Sequence, residues 1–133
     1  MKKVILFCLI VSWLIAGTIM PAMSGDSAEK LVINIDYGGV IPARSVEMSL
    51  VKDKTVLEVL LAIAQVQTHP VGKYVIVTAI DGVEGRRGDM AWYYTLDGKS
   101  PGEVAYTKKA DDVKQISWEF KQDVCSKTVD IKN

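Results

Sequence analysis

The chain has 133 residues, with 16 basic and 16 acidic side chains and a formal net charge of zero. That length suits a single domain. The charge balance excludes a broad electrostatic footprint for nucleic acid, since after residue 24 no basic tract exists beyond Arg86-Arg87 and Lys108-Lys109.

The chain opens on Lys2 and Lys3, followed by the uncharged apolar run 4–20 and by Ala22-Met23-Ser24. A positive start, an apolar middle and small residues at positions −3 and −1 are the signature of a secretory signal peptide over residues 1–24. The alternative is an uncleaved N-terminal membrane anchor, because the run approaches bilayer-spanning length. Membrane contact is expected only through this segment, if it stays uncleaved; otherwise the protein is secreted or periplasmic. Cleavage removes Lys2 and Lys3 and leaves a small acidic excess. It also leaves Cys125 as the single cysteine, so no internal disulfide is expected.

Residues 25–30 read as a polar linker. Leu31, Ile33 and Ile35 alternate with Val32, Asn34 and Asp36, the period of a strand. Gly38-Gly39 and Pro42 mark a loop, and Val46, Met48 and Leu50 mark a second strand, the hairpin partner of the first. Thr55-Val56-Leu57-Glu58 has capping-box spacing. Leu57, Leu60, Leu61 and Ala64 follow at helical intervals, and Pro70 with Gly72 is expected to close the helix. Tyr74–Ile80 is apolar at nearly every position, so it reads as a strand covered on both faces or lying near the sheet centre. Met90, Trp92, Tyr94 and Leu96 alternate again, as do Ile116, Trp118 and Phe120, with an Asp97-Gly98 turn after the first run. Val104 and Tyr106 could add a short edge strand, and residues 122–133 form a tail or a last edge strand. The order strand, strand, helix, strand, strand, strand predicts an α+β layer fold, with one mixed sheet and one helix packed across its first and last strands.

The chain carries no glycine-rich phosphate loop, CxxC pair, HExxH or GxSxG, and its only histidine is His69. No catalytic group and no metal site is expected. The aromatic residues remain. Trp92 and Trp118 read as core, whereas alternation leaves Tyr93 facing outward, beside a Pro-Gly loop over Lys99–Val104. Exposed aromatics next to such a loop can hold a flat, partly apolar ligand.

Several strings, taken in order, resemble the transcobalamin-like C-terminal domain family, also known as DUF4430. They are Thr55–Leu60, Val77–Val83, Trp92-Tyr93-Tyr94 with Asp97-Gly98-Lys99, Ala105-Tyr106, and Asp112-Val113 with Ile116–Phe120. The resemblance covers about residues 31–121. It implies a β-grasp, ubiquitin-like fold. It also implies a non-catalytic binding module whose ligand could be a corrinoid such as cobalamin, since this domain covers one face of the corrin ring in the animal cobalamin carriers. The ligand-binding residues would be Tyr93, Lys99, Ser100, Pro101, Gly102, Glu103, Val104 and Tyr106. The large helical domain that completes the site in those carriers is absent from this chain, so weak binding is expected. Asp97 stands where the family often has Asn, and Asp111 where it often has Gly. The alternative function is a protein- or glycan-interaction module of the cell envelope.

Overall fold

The computed structural model describes residues 29–50 and 52–124. The expected signal peptide, most of the linker, and Cys125 with the rest of the tail lie outside these residues. Eight elements follow in chain order: β1 (Lys30–Asp36), β2 (Arg44–Ser49), α1 (Val56–Ile63), β3 (Val66–Val71), β4 (Tyr74–Ile80), β5 (Val83–Glu84), β6 (Met90–Leu96) and β7 (Gln115–Gln122).

The expected single sheet is two. A mixed four-stranded sheet runs in the order β2-β1-β7-β6, and a smaller antiparallel sheet in the order β3-β4-β5. The first and last strands do lie side by side: β1 pairs with β7 in parallel, from Val32 opposite Gln115 to Asp36 opposite Glu119. The alternation read in the sequence decides which face is buried. Leu31, Ile33, Ile35, Ile116, Trp118, Phe120, Trp92 and Leu96 enter one core with Val56, Leu57, Val59 and Leu60 of the helix. Cross-strand partners on that face are Trp92 with Phe120 and Tyr94 with Trp118, each pair 5.1 Å between ring centroids. Pairs of this kind contribute beyond their buried area.

The helix starts where the capping box places it. Glu58 N donates to Thr55 Oγ1 at 3.1 Å, and Thr55 N donates to Glu58 Oε2 at 2.8 Å. That amide bond holds the Glu58 carboxyl below the ordinary carboxylate range. The C-terminal end differs from the expectation. The helix stops at Ile63, well before Pro70, and the chain re-enters as β3. Proline is tolerated there because β3 pairs only with β4, which leaves the position without an N–H on an edge.

Two further expectations are corrected. β4 does lie at the centre of its sheet, but it is not covered on both faces throughout. Ala79 and Ile80 are buried and Val75 and Val77 pack against the core, while Tyr74 and Ile76 on the other face are exposed. β-branched residues favour an extended backbone whether or not they are buried, so the apolar run marked a strand without marking its cover. Val104 and Tyr106 form no edge strand; residues 105–107 are a turn.

Candidate functional site

The Asp97-Gly98 turn is a two-residue hairpin connection with both residues at positive φ, 47° and 79°. Leu96 and Lys99 bond to each other in both directions, at 2.8 and 2.9 Å. Asp97 Oδ1 accepts from the amides of Lys114 at 3.1 Å and Gln115 at 2.9 Å, which fixes the turn against the start of β7. From Lys99 the chain enters the loop singled out in the sequence. The Tyr94 hydroxyl donates to the Glu103 carbonyl at 2.5 Å. Burial, helped by the nearby Glu103 charge, pushes the Tyr94 pKa up to about 12.

The next stretch clamps the helix. Leu57 N donates to the Ala105 carbonyl at 3.0 Å and Val56 N to the Lys108 carbonyl at 2.8 Å. With Glu58 N bonded to Thr55 Oγ1 and Thr55 N to Glu58 Oε2, each of the four amides left open by the first helical turn has a partner. The loop backbone is therefore held at both ends, while the side chains of Lys99, Ser100, Glu103 and Tyr106 are exposed and Pro101 and Val104 are half-buried. Gly102 carries a positive φ of 65° at the loop tip.

Tyr93 is placed differently from the other expected site residues. It lies on the outer face of the sheet, and its hydroxyl donates to Asp123 Oδ1 at 3.0 Å and accepts from Val124 N at 3.3 Å. Those partners lie past the far end of the β6–β7 ladder from the Asp97 turn. The residue that reaches the loop is its neighbour Tyr94. Sequence alternation separates the two faces but does not say which tyrosine a loop folds back to meet.

A second assembly was not anticipated. At the opposite end of α1, a groove of about 540 Å³ is lined by Tyr37, Ile41, Pro42, Arg44, residues 61–65 and Asp81. Its floor is a polar junction. Arg44 Nε donates to the Tyr37 hydroxyl at 3.0 Å, and its Nη2 donates to the Ile63 carbonyl and to Asp81 Oδ2, each at 2.8 Å. The Tyr37 hydroxyl donates to the same carboxylate oxygen. Gln65 N donates to Asp81 Oδ1 at 3.0 Å. Burial works against the Asp81 charge, but the Tyr37, Gln65 and Arg44 bonds outweigh it and hold the carboxyl below its ordinary range. Burial, with the bond to Asp81, raises Tyr37. The last turn of α1 has no basic residue of its own, so Arg44 from β2 supplies the cation that its C-terminal end favours. Nothing local in the sequence couples Asp81 to Arg44 or Tyr37.

Among the described residues, no three His, Cys, Asp or Glu side chains converge as a metal site would require, and no helix is long and apolar enough to cross a membrane.

Comparison with known proteins places these features. Residues 53–122 match the family described as "Domain of unknown function (DUF4430)". The chain belongs to that family. The match begins after the β1–β2 hairpin, although β1 is built into the same sheet through β7. Among solved structures, the chain is similar to a protein from Ruminococcus gnavus ATCC 29149 provisionally named a metal binding protein. The two share 15% identity and a TM-score of 0.55, over 71% of this chain and 98% of that one, a likeness of fold. No curated protein matches the chain.

Proposed function

We propose that this chain is an exported, non-catalytic binding module of the β-grasp type, with residues 1–24 a cleaved signal peptide and residues 31–121 the domain. The β-grasp reading is supported by a β1–β2 hairpin followed by a helix, with β1 parallel to the final strand in the order β2-β1-β7-β6. The ligand contacts are assigned to Lys99, Ser100, Pro101, Gly102, Glu103, Val104 and Tyr106, with Tyr93 outside the cluster. One observation carries this assignment: the loop backbone is fixed by Tyr94 and by the helix amides, yet its polar side chains face solvent. A fixed backbone with free side chains limits the ordering lost on binding.

A corrinoid is the named candidate ligand. Its flat, partly apolar face suits a Pro-Gly loop flanked by Tyr106, which is 45% exposed. Titration of the full chain with cobalamin, followed by calorimetry, tests this reading. Weak binding that Lys99→Ala and Tyr106→Ala each reduce, at unchanged thermal stability, is the expected result. No heat at millimolar ligand removes the corrinoid. Sequencing the N-terminus of exported protein tests cleavage after Ser24.

A second reading, an envelope protein-interaction module, is favoured by the apolar rim of the groove. Ile41 and Leu61 are exposed there beside Pro42, a grouping soluble surfaces keep small unless a partner covers it. Metal binding, taken from the name of the Ruminococcus protein, finds no convergent donor set among the described residues of this chain.

A further inference from the structure

The outer face of the four-stranded sheet carries a pattern that the loop and the groove leave unused. Register places Ser45 opposite Asn34, Asn34 beside Ser117, and Ser117 opposite Thr95. One rung, crossing all four strands, is thus made of small hydroxyl and amide side chains. The outward rung on one side holds Asp36, Glu119 and Tyr93, and that on the other holds Glu47, Val32 and Gln115. Three members of the rung also border a hollow: Asn34, Ser45 and Ser117, with Asp36, Ala43 and Glu119, line a depression of about 400 Å³, and Thr95 lies outside it. Among the described residues, Asn34, Ser45 and Thr95 have no side-chain partner, and Ser117 Oγ accepts only from Gln115 Nε2, at 3.1 Å.

The chemistry of this rung narrows its occupant. Among the described residues, none of the exposed large apolar side chains lies on this face, so they offer it none of the anchors around which protein interfaces are built. Its carboxylates repel anions. They are also already served: Glu119 by Lys121 at 3.0 Å, Glu47 by Lys30 at 3.3 Å, and Asp36 by the Gly38 amide at 2.9 Å. That leaves little net field to hold a cation. What remains is a row of side chains that both donate and accept, bordered by acceptors, which matches a ligand whose groups also do both. Strands lie ~4.8 Å apart, so the rung spans ~14 Å, enough for roughly three pyranose rings.

We propose that the Ser45–Asn34–Ser117–Thr95 rung is a binding site for an uncharged oligosaccharide. The sugar hydroxyls bridge the rung and donate to Asp36 and Glu119 at its border. The site lies across the sheet from the core and is separate from the Lys99–Tyr106 loop, so the two assignments stand or fall independently.

The test uses the full chain with chitotetraose, cellotetraose and maltotetraose as probes, followed by calorimetry and by NMR shift mapping of the backbone amides. The expected result is millimolar or tighter binding of at least one of them, insensitive to added salt, with shifts centred on Asn34 and Ser117. Asn34→Ala and Thr95→Val should each weaken it about tenfold, the worth of one hydrogen bond, without moving the melting temperature. Failure of all three probes to bind at millimolar concentration overturns the proposal. So does binding that survives both substitutions, or shifts confined to residues 99–106.

Discussion

Arg44 and Asp81 stand 37 positions apart in the chain and meet at 2.8 Å, and the same guanidinium nitrogen also holds the Ile63 carbonyl at the end of α1. One side chain thus ties β2, the helix and the end of β4 together. Arg44→Ala leaves a helix-end carbonyl without its side-chain donor and a partly buried carboxylate without its cation, served only by the Tyr37 hydroxyl and the Gln65 amide. A loss of ~1–3 kcal/mol is expected, toward the lower end because both side chains keep some solvent contact. Urea denaturation at neutral pH measures it; a change below ~0.5 kcal/mol would mean the junction is not a tie.

The same junction makes stability depend on acid. The Asp81 carboxyl titrates below its unfolded value of ~3.9, so the stabilisation it gives is complete above that pH. It is lost as pH falls through the lower, folded value. Asp81→Asn keeps a residue that tolerates the φ of 50° found here but cannot carry the charge. The wild-type advantage over Asp81→Asn should therefore be constant from neutral pH down to about 4 and shrink below it. Parallel stability curves across that range would contradict this.

Trp118 is 2% exposed, and its indole nitrogen has no hydrogen-bond partner among the described residues. The ring contributes through contact, stacked on Tyr94 at 5.1 Å and buried in the core, while its N–H works against folding. Trp118→Ala should cost ~3–5 kcal/mol. Trp118→Phe loses area but also an unsatisfied donor, whose burial costs ~1–3 kcal/mol, so the two effects nearly offset. Thermal melts of both variants separate packing from polarity: a Phe variant as damaged as the Ala variant would show that the indole donor is satisfied in solution.

Much of the core was legible because it is written as local period. The alternation in β1, β6 and β7 and the Thr55–Glu58 box each lie within a few residues, and the structure uses all four. What the sequence hid is long-range. β3 was missed because Pro70 suggests an ending, and only its place at a sheet edge makes it harmless. The Tyr37–Arg44–Asp81 junction has no local signal at all. The loop was found from its Pro-Gly composition. The stretch that follows it proved to be the helix clamp, and Tyr94 rather than Tyr93 was the residue holding the loop. Face and contact are separate facts, and alternation gives only the first.

Gly38 and Gly39 look equivalent in sequence, and both have positive φ, 63° and 84°. A Cβ on Gly38 would lie 2.6 Å from the Phe120 carbonyl oxygen, a backbone atom that cannot turn aside; one on Gly39 meets nothing within 4 Å. Gly39→Ala should show only the ~1 kcal/mol penalty of the left-handed backbone. Gly38→Ala adds a clash that forces β1 and β7 apart at that end, for a total of ~2–4 kcal/mol. Equal melting temperatures for the two variants would refute the close approach.

Tyr94 links the core to the proposed ligand loop, so its removal should be felt in both. Tyr94→Phe keeps the stack on Trp118 but loses the bond to the Glu103 carbonyl, at about 1 kcal/mol near neutral pH. The folded pKa, about 12, lies above the unfolded value of ~10. The hydroxyl therefore stabilises the fold fully below pH ~10, and that contribution disappears as pH rises through about 12. The stability difference between wild type and Tyr94→Phe should close over this interval. Hydrogen exchange at Gly102, Glu103 and Val104 should quicken in the variant at neutral pH, because the loop has lost the anchor that holds its backbone between the turn and the helix. If exchange there is unchanged, the loop is fixed by the helix clamp alone, and the phenol is not what prepares it to bind.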